Sequence, residues 1–101
     1  MDETAMTISE EKMKERGEHP VLALRREASG AVLRYLVAES DTLPKHYSIY
    51  AEYLDGASHT VGDIPCFSSD RDQAESFCSL LERFGVTPFS LHAVYEDSLT
   101  P

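Results

Sequence analysis

The sequence predicts an α+β domain in which a four-stranded antiparallel meander, built from two hairpins, precedes two C-terminal helices packed on one face. Two observations support this fold class: apolar residues alternate between positions 21 and 64, and they recur at helical spacing after position 69. Strands followed by helices are typical of α+β proteins. A length of 101 residues indicates one small domain, which we expect to occupy residues 21–101.

The first hairpin is predicted in residues 21–40. Two β-rich runs flank Ala28-Ser29-Gly30, and Gly30 supplies the positive φ that a hairpin turn requires. Alternate residues of the second run would point to opposite faces of a strand, but one of these faces mixes polar and apolar side chains.

The second hairpin is predicted in residues 45–64, with Asp55-Gly56 at its turn. Counting outward from that turn places His59 opposite Glu52, which predicts a charge pair across the two strands. The same count places His46 away from His59, so the two imidazoles do not form a metal-binding pair.

Residues 69–84 form the clearest predicted helix. Ser69 is placed to cap its N-terminus, and Gly85 is placed to end it in the left-handed conformation. Its apolar residues form one stripe that we expect to face the core: Ala74, Phe77, Cys78, Leu81 and Phe84.

The last segment, residues 88–99, has two interpretations. Thr87-Pro88 is a helix start signal, and a helical stripe follows it, formed by Leu91, Val94, Tyr95 and Leu99. The alternative is a strand, because Phe89, Leu91, Ala93 and Tyr95 also alternate. We favour the short helix.

The first twenty residues are predicted to be an acidic, mobile leader. A capping box at Thr7–Glu10 and a stop at Gly17 would delimit a helix. That helix has no apolar face, however, and a helix of this length is marginal in water.

Composition restricts the classes of partner. Eighteen acidic residues against nine basic ones give a net charge of −9, which argues against binding to nucleic acid or to anionic membranes. No apolar run approaches the ~20 residues of a membrane helix, and the N-terminus resembles no signal peptide. We therefore expect a cytoplasmic protein whose two cysteines are reduced.

Cys66 is the candidate reactive thiol, because it precedes a predicted helix N-terminus, where the dipole lowers a thiol pKa. A phosphatase-type loop is excluded, since only four residues separate Cys66 from Arg71 and acidic residues flank that arginine. The histidines and cysteines lack the close spacing of zinc ligands, and no catalytic triad or nucleotide loop is present. We expect no catalytic residue, no metal and no cofactor.

Aromatic residues offer a different kind of site. The predicted sheet carries more rings than one helix-covered face needs, so some are expected on an open face. They either stabilise the sheet or form an interface with a partner or a second copy. The candidate interaction surface consists of Tyr47, Tyr50, Tyr53, Glu96 and Asp97.

Three stretches carry a resemblance to a known family: LRYLVAES, YSIYAEYLDG, and the segment from Val61 to Leu99. The matching positions are Tyr35, Leu36, Val37, Tyr47, Ile49, Ser69, Asp70, Arg71, Val86, Pro88, Leu91, Val94, Glu96, Asp97 and Leu99. The pattern resembles a family of small uncharacterised proteins of Gram-positive anaerobic bacteria, the domain of unknown function DUF6514. The resemblance implies the same fold and a helical C-terminus, and it implies no activity.

The sequence therefore predicts a small, non-enzymatic cytoplasmic protein that acts by binding another protein, with homodimerisation as one form of that interaction. A thiol-based sensor or weak thiol-dependent activity at Cys66 is the first alternative. The second is a small ligand bound between the sheet and the helices.

Overall fold

A computed structural model describes residues 8–56 and 58–99 of the chain. The elements follow in this order: α1 (Ile8–Arg16), β1 (Glu18–Ala28), β2 (Ala31–Ser40), β3 (Tyr47–Asp55), β4 (Ser58–Ser68), α2 (Arg71–Phe84), a 3-10 turn (Pro88–Ser90) and α3 (Leu91–Leu99). The strands form one antiparallel sheet in the order β1-β2-β3-β4. The predicted fold class, a four-stranded meander followed by two helices, is confirmed.

The first hairpin turn is the one that the sequence predicts. Ala28 pairs with Ala31, and the two residues between them have positive φ, 49° at Ser29 and 86° at Gly30. Two positive φ values give the turn a twist that matches the right-handed twist of the strands. The glycine makes the second of these conformations accessible.

The second turn lies one residue later than predicted. Asp55 pairs with Ser58, and Gly56 opens the turn with a φ of 59°. Glu52 therefore lies opposite Val61 rather than His59, so the predicted register is wrong. The glycine accounts for the shift, because it adopts the positive φ of a first turn position more readily than aspartate does.

The two faces of the sheet carry different cores, since side chains alternate between faces along each strand. The face covered by α2 and α3, called here the α2 face, holds the larger core, which includes Leu33, Tyr35, Val37, Ile49, Ile64, Phe77, Leu81 and Leu91. The opposite face, called here the α1 face, holds a smaller core of Met13, Leu36, Ala38 and Tyr50, with Val61 packed against it. The sheet is therefore covered on both sides.

Helix α2 begins and ends with capping interactions. The Asp70 carboxylate accepts a hydrogen bond of 2.9 Å from the Asp72 N–H, so Asp70, rather than Ser69, is the cap. Gly85 ends the helix with a φ of 62°, and the Val86 N–H donates to the Leu81 carbonyl at 3.0 Å. This closure of Val86 on the last helical turn is typical of a helix that ends at a left-handed glycine.

The predicted stripe of α2 is buried except at its C-terminal end. Ala74, Phe77, Cys78 and Leu81 are buried, but 65% of Phe84 is exposed. Ten residues after Ala74, the helical rotation brings Phe84 to the edge of the stripe, in the last turn before Gly85. The expectation that Phe84 faces the core is wrong.

The C-terminal segment is helical, so the strand interpretation is wrong. A 3-10 turn over Pro88–Ser90 leads directly into α3. Leu91 is fully buried, and Val94 and Tyr95 pack against the core of the α2 face. The side chain of Leu99 lies outside the described part of the structure.

The N-terminal segment departs from the expectation of a leader that extends to residue 20. Residues 1–7 lie outside the described residues, but α1 runs over Ile8–Arg16 and β1 already begins at Glu18. Gly17 ends α1 with a φ of 71°, as predicted for a helix stop. α1 lacks an apolar stripe, and contacts with distant residues hold it to the sheet instead.

None of the helices in the described part of the chain has the length and apolar character needed to cross a membrane.

Candidate functional site

The α1 face contains a carboxylate that is fully buried, Glu52 on β3. Its two oxygens accept hydrogen bonds from the Ser9 backbone N–H at 3.3 Å and from Arg34 Nη1 at 3.0 Å. His59 Nε2 lies 3.9 Å from the same carboxylate. The two residues that the sequence pairs therefore do approach each other, but diagonally rather than directly opposite. Because Ser9 lies in the first turn of α1, the positive helix end faces the buried negative charge.

A second carboxylate holds the other end of α1. Asp63 on β4 accepts hydrogen bonds from Arg16 at 2.7 Å and from Lys12 at 3.2 Å. Burial would raise the pKa of Asp63, but the hydrogen bonds from Arg16 and Lys12 outweigh it and hold that pKa below its ordinary value. The carboxylate therefore stays ionised in the folded chain and anchors both basic side chains.

Tyr50 links α1 to the start of β1. Its hydroxyl donates to Glu18 at 2.6 Å and accepts from Arg16 Nη1 at 3.0 Å. Burial and the neighbouring Glu18 raise the pKa of Tyr50, so the phenol remains protonated. Ser48 also donates to Glu18, at 2.8 Å, and accepts from the Cys66 N–H at 3.1 Å.

These interactions make the α1 face a surface that holds a helix to the sheet. Glu52, Asp63 and Glu18 each bond to a donor of the same face.

Cys66 lies in a β-bulge of β4, away from the start of α2. The register shifts where Ser48 lies opposite residues 65–67, and Cys66 has a positive φ of 52°. Its side chain is exposed, as an accessible thiol requires. The cap of α2 is Asp70, four residues further on, and the helix dipole acts mainly within the first turn. A reactive thiol at Cys66 stays a prediction of the sequence, and the exposure of that side chain keeps it accessible.

The predicted tyrosine surface is also wrong in its central residues. Tyr47 is buried in the core of the α2 face, and Tyr50 is buried beneath α1. Tyr53 is half-buried, whereas Glu96 and Asp97 are exposed on α3. The prediction assumed that helices cover one face of the sheet, but α1 covers the second face.

The structure instead exposes apolar surface beside α2. A groove of about 540 Å³ runs along the side of α2 next to β1, lined by Leu22, Asp72, Glu75, Ser76, Ser79, Leu80 and Arg83. Leu80 is 41% exposed, and Phe84, one helical turn further on, is 65% exposed. β1 is an edge strand of the sheet, so one of its sides has no neighbouring strand.

Sequence reasoning missed this groove, although one signal for it was present. Leu80 adjoins Leu81 but lies off the apolar stripe of α2, so an amphipathic helix would direct it away from the core. A large apolar side chain off the stripe is a candidate contact residue. The edge strand beside it could not be recognised, since the order of strands is a property of the whole sheet.

Neither a metal-binding cluster nor a similar protein assigns a further role to the described residues. Within residues 8–56 and 58–99, no group of three or more histidine, cysteine, aspartate or glutamate side chains is placed to hold a metal ion. The fold and the groove define a small α+β domain with a groove of mixed polar and apolar lining beside an edge strand. Comparison with protein-family models, with curated proteins and with solved structures finds no match to this chain. The resemblance to DUF6514 stays a prediction that rests on the sequence motifs.

Proposed function

We propose that this protein is a non-enzymatic binding module that takes up an extended segment of a partner protein along β1. The observation that carries the proposal is the groove beside an edge strand, with Leu22 and Leu80 in its lining and Phe84 exposed one turn beyond. An extended peptide that joins a sheet edge gains main-chain hydrogen bonds, and adjoining pockets select its side chains. Apolar and aromatic side chains of this kind are typical of binding surfaces.

The groove has the length that such a segment needs. Its lining residues on α2 extend from Asp72 to Arg83, which corresponds to about 16 Å of helix at 1.5 Å per residue. An extended chain covers that distance with about five residues. Leu22 and Leu24 of β1 lie on the side of the sheet that packs against the α2-face core, so alternate side chains of an added strand would point into the groove.

Charge specifies the partner further. The chain has a net charge of −9, and the Asp72 carboxylate lies at the N-terminal end of the groove, next to Glu75, which is paired with Arg71. A segment that combines apolar residues with a basic residue at this end fits both features, and electrostatic attraction would speed its association. Arg83 at the other end disfavours a second basic residue there.

The setting that we propose for this interaction is the cytoplasm. Both cysteines, Cys66 and Cys78, are free, which fits a reducing compartment. The acidic surface supports a protein partner over nucleic acid, since phosphate binding depends on lysine and arginine.

Selection of peptides from a random displayed library on the full chain tests the proposal. We expect the selected peptides to combine apolar and basic residues, and to slow hydrogen exchange of the amides of Leu22–Arg26 when they bind. Leu80→Asp should reduce their affinity about tenfold or more, because it removes an apolar contact and places a charge in the groove. Leu43→Asp is the matched control, since Leu43 is similarly exposed, in the loop between β2 and β3.

Two outcomes contradict the proposal. One is binding that Leu80→Asp leaves unchanged. The other is a dimer, detected by size-exclusion chromatography with light scattering, that Leu80→Asp dissociates, because a second copy would then occupy the groove.

A further inference from the structure

Hydrogen bonds and ion pairs, together with one buried apolar side chain, hold α1 to the sheet. Met13 is the buried apolar side chain that α1 contributes to the α1-face core. The other contacts are polar: the Ser9 N–H bonds to Glu52, and Lys12 and Arg16 bond to Asp63. The docked surface of α1 therefore shows a donor N-terminus, one apolar side chain, two basic side chains and one acidic side chain, Glu10, which lies 3.9 Å from Arg34. The sheet presents the complementary acidic groups around an apolar centre.

The fit between α1 and the sheet is incomplete. The Ser9 hydroxyl and His59 Nε2 are both buried without a hydrogen-bond partner. A buried polar atom without a partner lowers stability, and native proteins contain few of them. Both residues approach the Glu52 carboxylate, Ser9 through its backbone N–H at 3.3 Å and His59 through Nε2 at 3.9 Å.

The length and the connection of α1 also favour its release. It has nine residues, and a helix of that length is marginal in water without its tertiary contacts. Gly17 alone joins it to β1, and no atom lies within 4 Å of the position of a Cβ there. Segments with few buried apolar contacts open with a smaller free energy than the core does.

We propose that the α1 face is a docking site for a basic amphipathic helix of a partner protein, which α1 occupies as an internal competitor. The contacts of α1 define the helix that fits: a polar residue at its N-terminus, a basic residue three positions later, an apolar residue at four, and a second basic residue at seven. These positions correspond to Ser9, Lys12, Met13 and Arg16. They share one side of a helix, because residues three and four apart are neighbours on its surface.

Charge complementarity selects this occupant. The buried Glu52 needs a donor group, and Asp63 binds two cations when α1 is docked. An acidic helix would leave Asp63 without its two cations, and Glu52 with Arg34 but without the second donor that α1 supplies, which lowers stability at these positions. The outward side of α1 carries Glu11 and Glu15, so a partner helix that is basic there as well would be attracted more strongly by the net charge of −9.

The test uses the full chain and a synthetic helical peptide. The peptide is alanine-based, about twenty residues long for stable helicity, and carries serine, lysine, methionine and arginine at the spacing given above. A second peptide has glutamate in place of its lysine and arginine. Fluorescence anisotropy of the labelled peptides gives the dissociation constants.

Releasing α1 should improve binding of the basic peptide. Lys12→Ala with Arg16→Ala removes both ion pairs to Asp63 and should lower the dissociation constant about tenfold, because a larger fraction of molecules has a vacant face. Lys14→Ala with Arg25→Ala is the matched control, since it changes the net charge equally at exposed positions and should have little effect. Adding Asp63→Asn to the first variant should weaken binding again. Equal affinities for all these variants, or equal binding of the acidic peptide, would overturn the proposal.

Hydrogen exchange of the unaltered chain provides a measurement that does not depend on how the variants fold. A saturating amount of the basic peptide should speed exchange of the Met13–Arg16 amides and leave those of Ile49–Ala51 in β3 unchanged. Protection of α1 that persists at saturation would overturn the proposal, as would a dimer of the chain in which the copies exchange their α1 helices. Leu80→Asp should leave peptide binding unchanged, so this result is separable from the test of the groove.

Discussion

Different interactions hold the helices on the two faces of the sheet. On the α2 face, Phe77 stacks on Phe67 with ring centroids 4.8 Å apart, and the Tyr35 hydroxyl donates to the Val86 carbonyl at 2.7 Å. On the α1 face, Glu52 and Asp63 hold a short helix by hydrogen bonds and ion pairs. The first face is stabilised mainly by apolar burial, which is insensitive to pH and salt, and the second largely by electrostatics.

A helix can therefore pack on a sheet without having an amphipathic sequence. α2 has the apolar stripe that predicts a buried face, and that stripe is buried from Ala74 to Leu81. α1 lacks such a stripe, yet Ser9 and Met13 are buried, because charged residues of the sheet form hydrogen bonds and ion pairs with α1. We therefore expect substitutions on the α2 face to act on the whole fold, and those on the α1 face to act first on the docking of α1.

The largest effect should come from Phe77→Ala. We expect it to lower the free energy of unfolding by about 3–5 kcal/mol, because it removes a ring packed against Phe67 and Tyr95 and leaves a cavity. Urea denaturation measures this change. Phe84→Ala is the matched control, since the same residue type in the same helix is 65% exposed, and it should cost under about 1 kcal/mol. Similar losses for the two variants would contradict the burial of α2 described above.

Glu52→Gln should have the next largest effect. The neutral amide has one oxygen to accept from Arg34 and Ser9, so a buried donor loses its partner, at a cost of about 1–3 kcal/mol. Glu27→Gln is the control, because Glu27 also bonds to an arginine, Arg25, but at an exposed site. It should change the free energy of unfolding by less than about 0.5 kcal/mol. Equal changes in the free energy of unfolding for the two variants would show that the burial of Glu52 contributes nothing to stability.

Acid should loosen α1 before it unfolds the sheet. The folded pKa of Asp63 lies below its ordinary value of 3.8, so its contribution to stability is present above that value and is lost as the pH falls through the folded pKa. Hydrogen exchange of α1 amides between pH 6 and pH 3, compared with β3 amides, measures the loss. Asp63→Asn should remove most of this pH dependence, and an unchanged pH profile would rule out Asp63 as the anchor.

The smallest effect concerns the two thiols and needs no substitution. Burial raises the pKa of Cys78 to about 12, so this thiol stays protonated and unreactive in the folded chain. Cys66 is exposed and should be alkylated first near pH 8, with Cys78 labelled only on unfolding. Mass spectrometry of peptides after timed labelling distinguishes the two. Alkylation of Cys66 faster than a free thiol of pKa about 8.5 would support the thiol-sensor alternative, and early labelling of Cys78 would contradict its burial.

The local structure of this protein could be predicted from residues that are close together in the sequence. The hairpin at Ser29-Gly30, the end of α2 at Gly85 and the helix start at Pro88 follow from residues that are neighbours in the chain. Glycine and proline restrict or free the backbone where they stand, and apolar spacing reports the period of each element. The fold class and the buried stripe of α2, apart from Phe84, could therefore be predicted.

Tertiary structure alone decided which surfaces are covered. The bonds of α1 join residues far apart in sequence, with separations of 43 residues for Ser9 and Glu52 and 47 for Arg16 and Asp63. No pattern of neighbouring residues predicts bonding partners that are so far apart in the sequence. The sequence analysis therefore predicted an open sheet face and an exposed Tyr50. Likewise, the edge position of β1 beside Leu80 exists only once all four strands have paired. Whether a side chain is buried depends on what packs against it, and distant parts of the chain supply that.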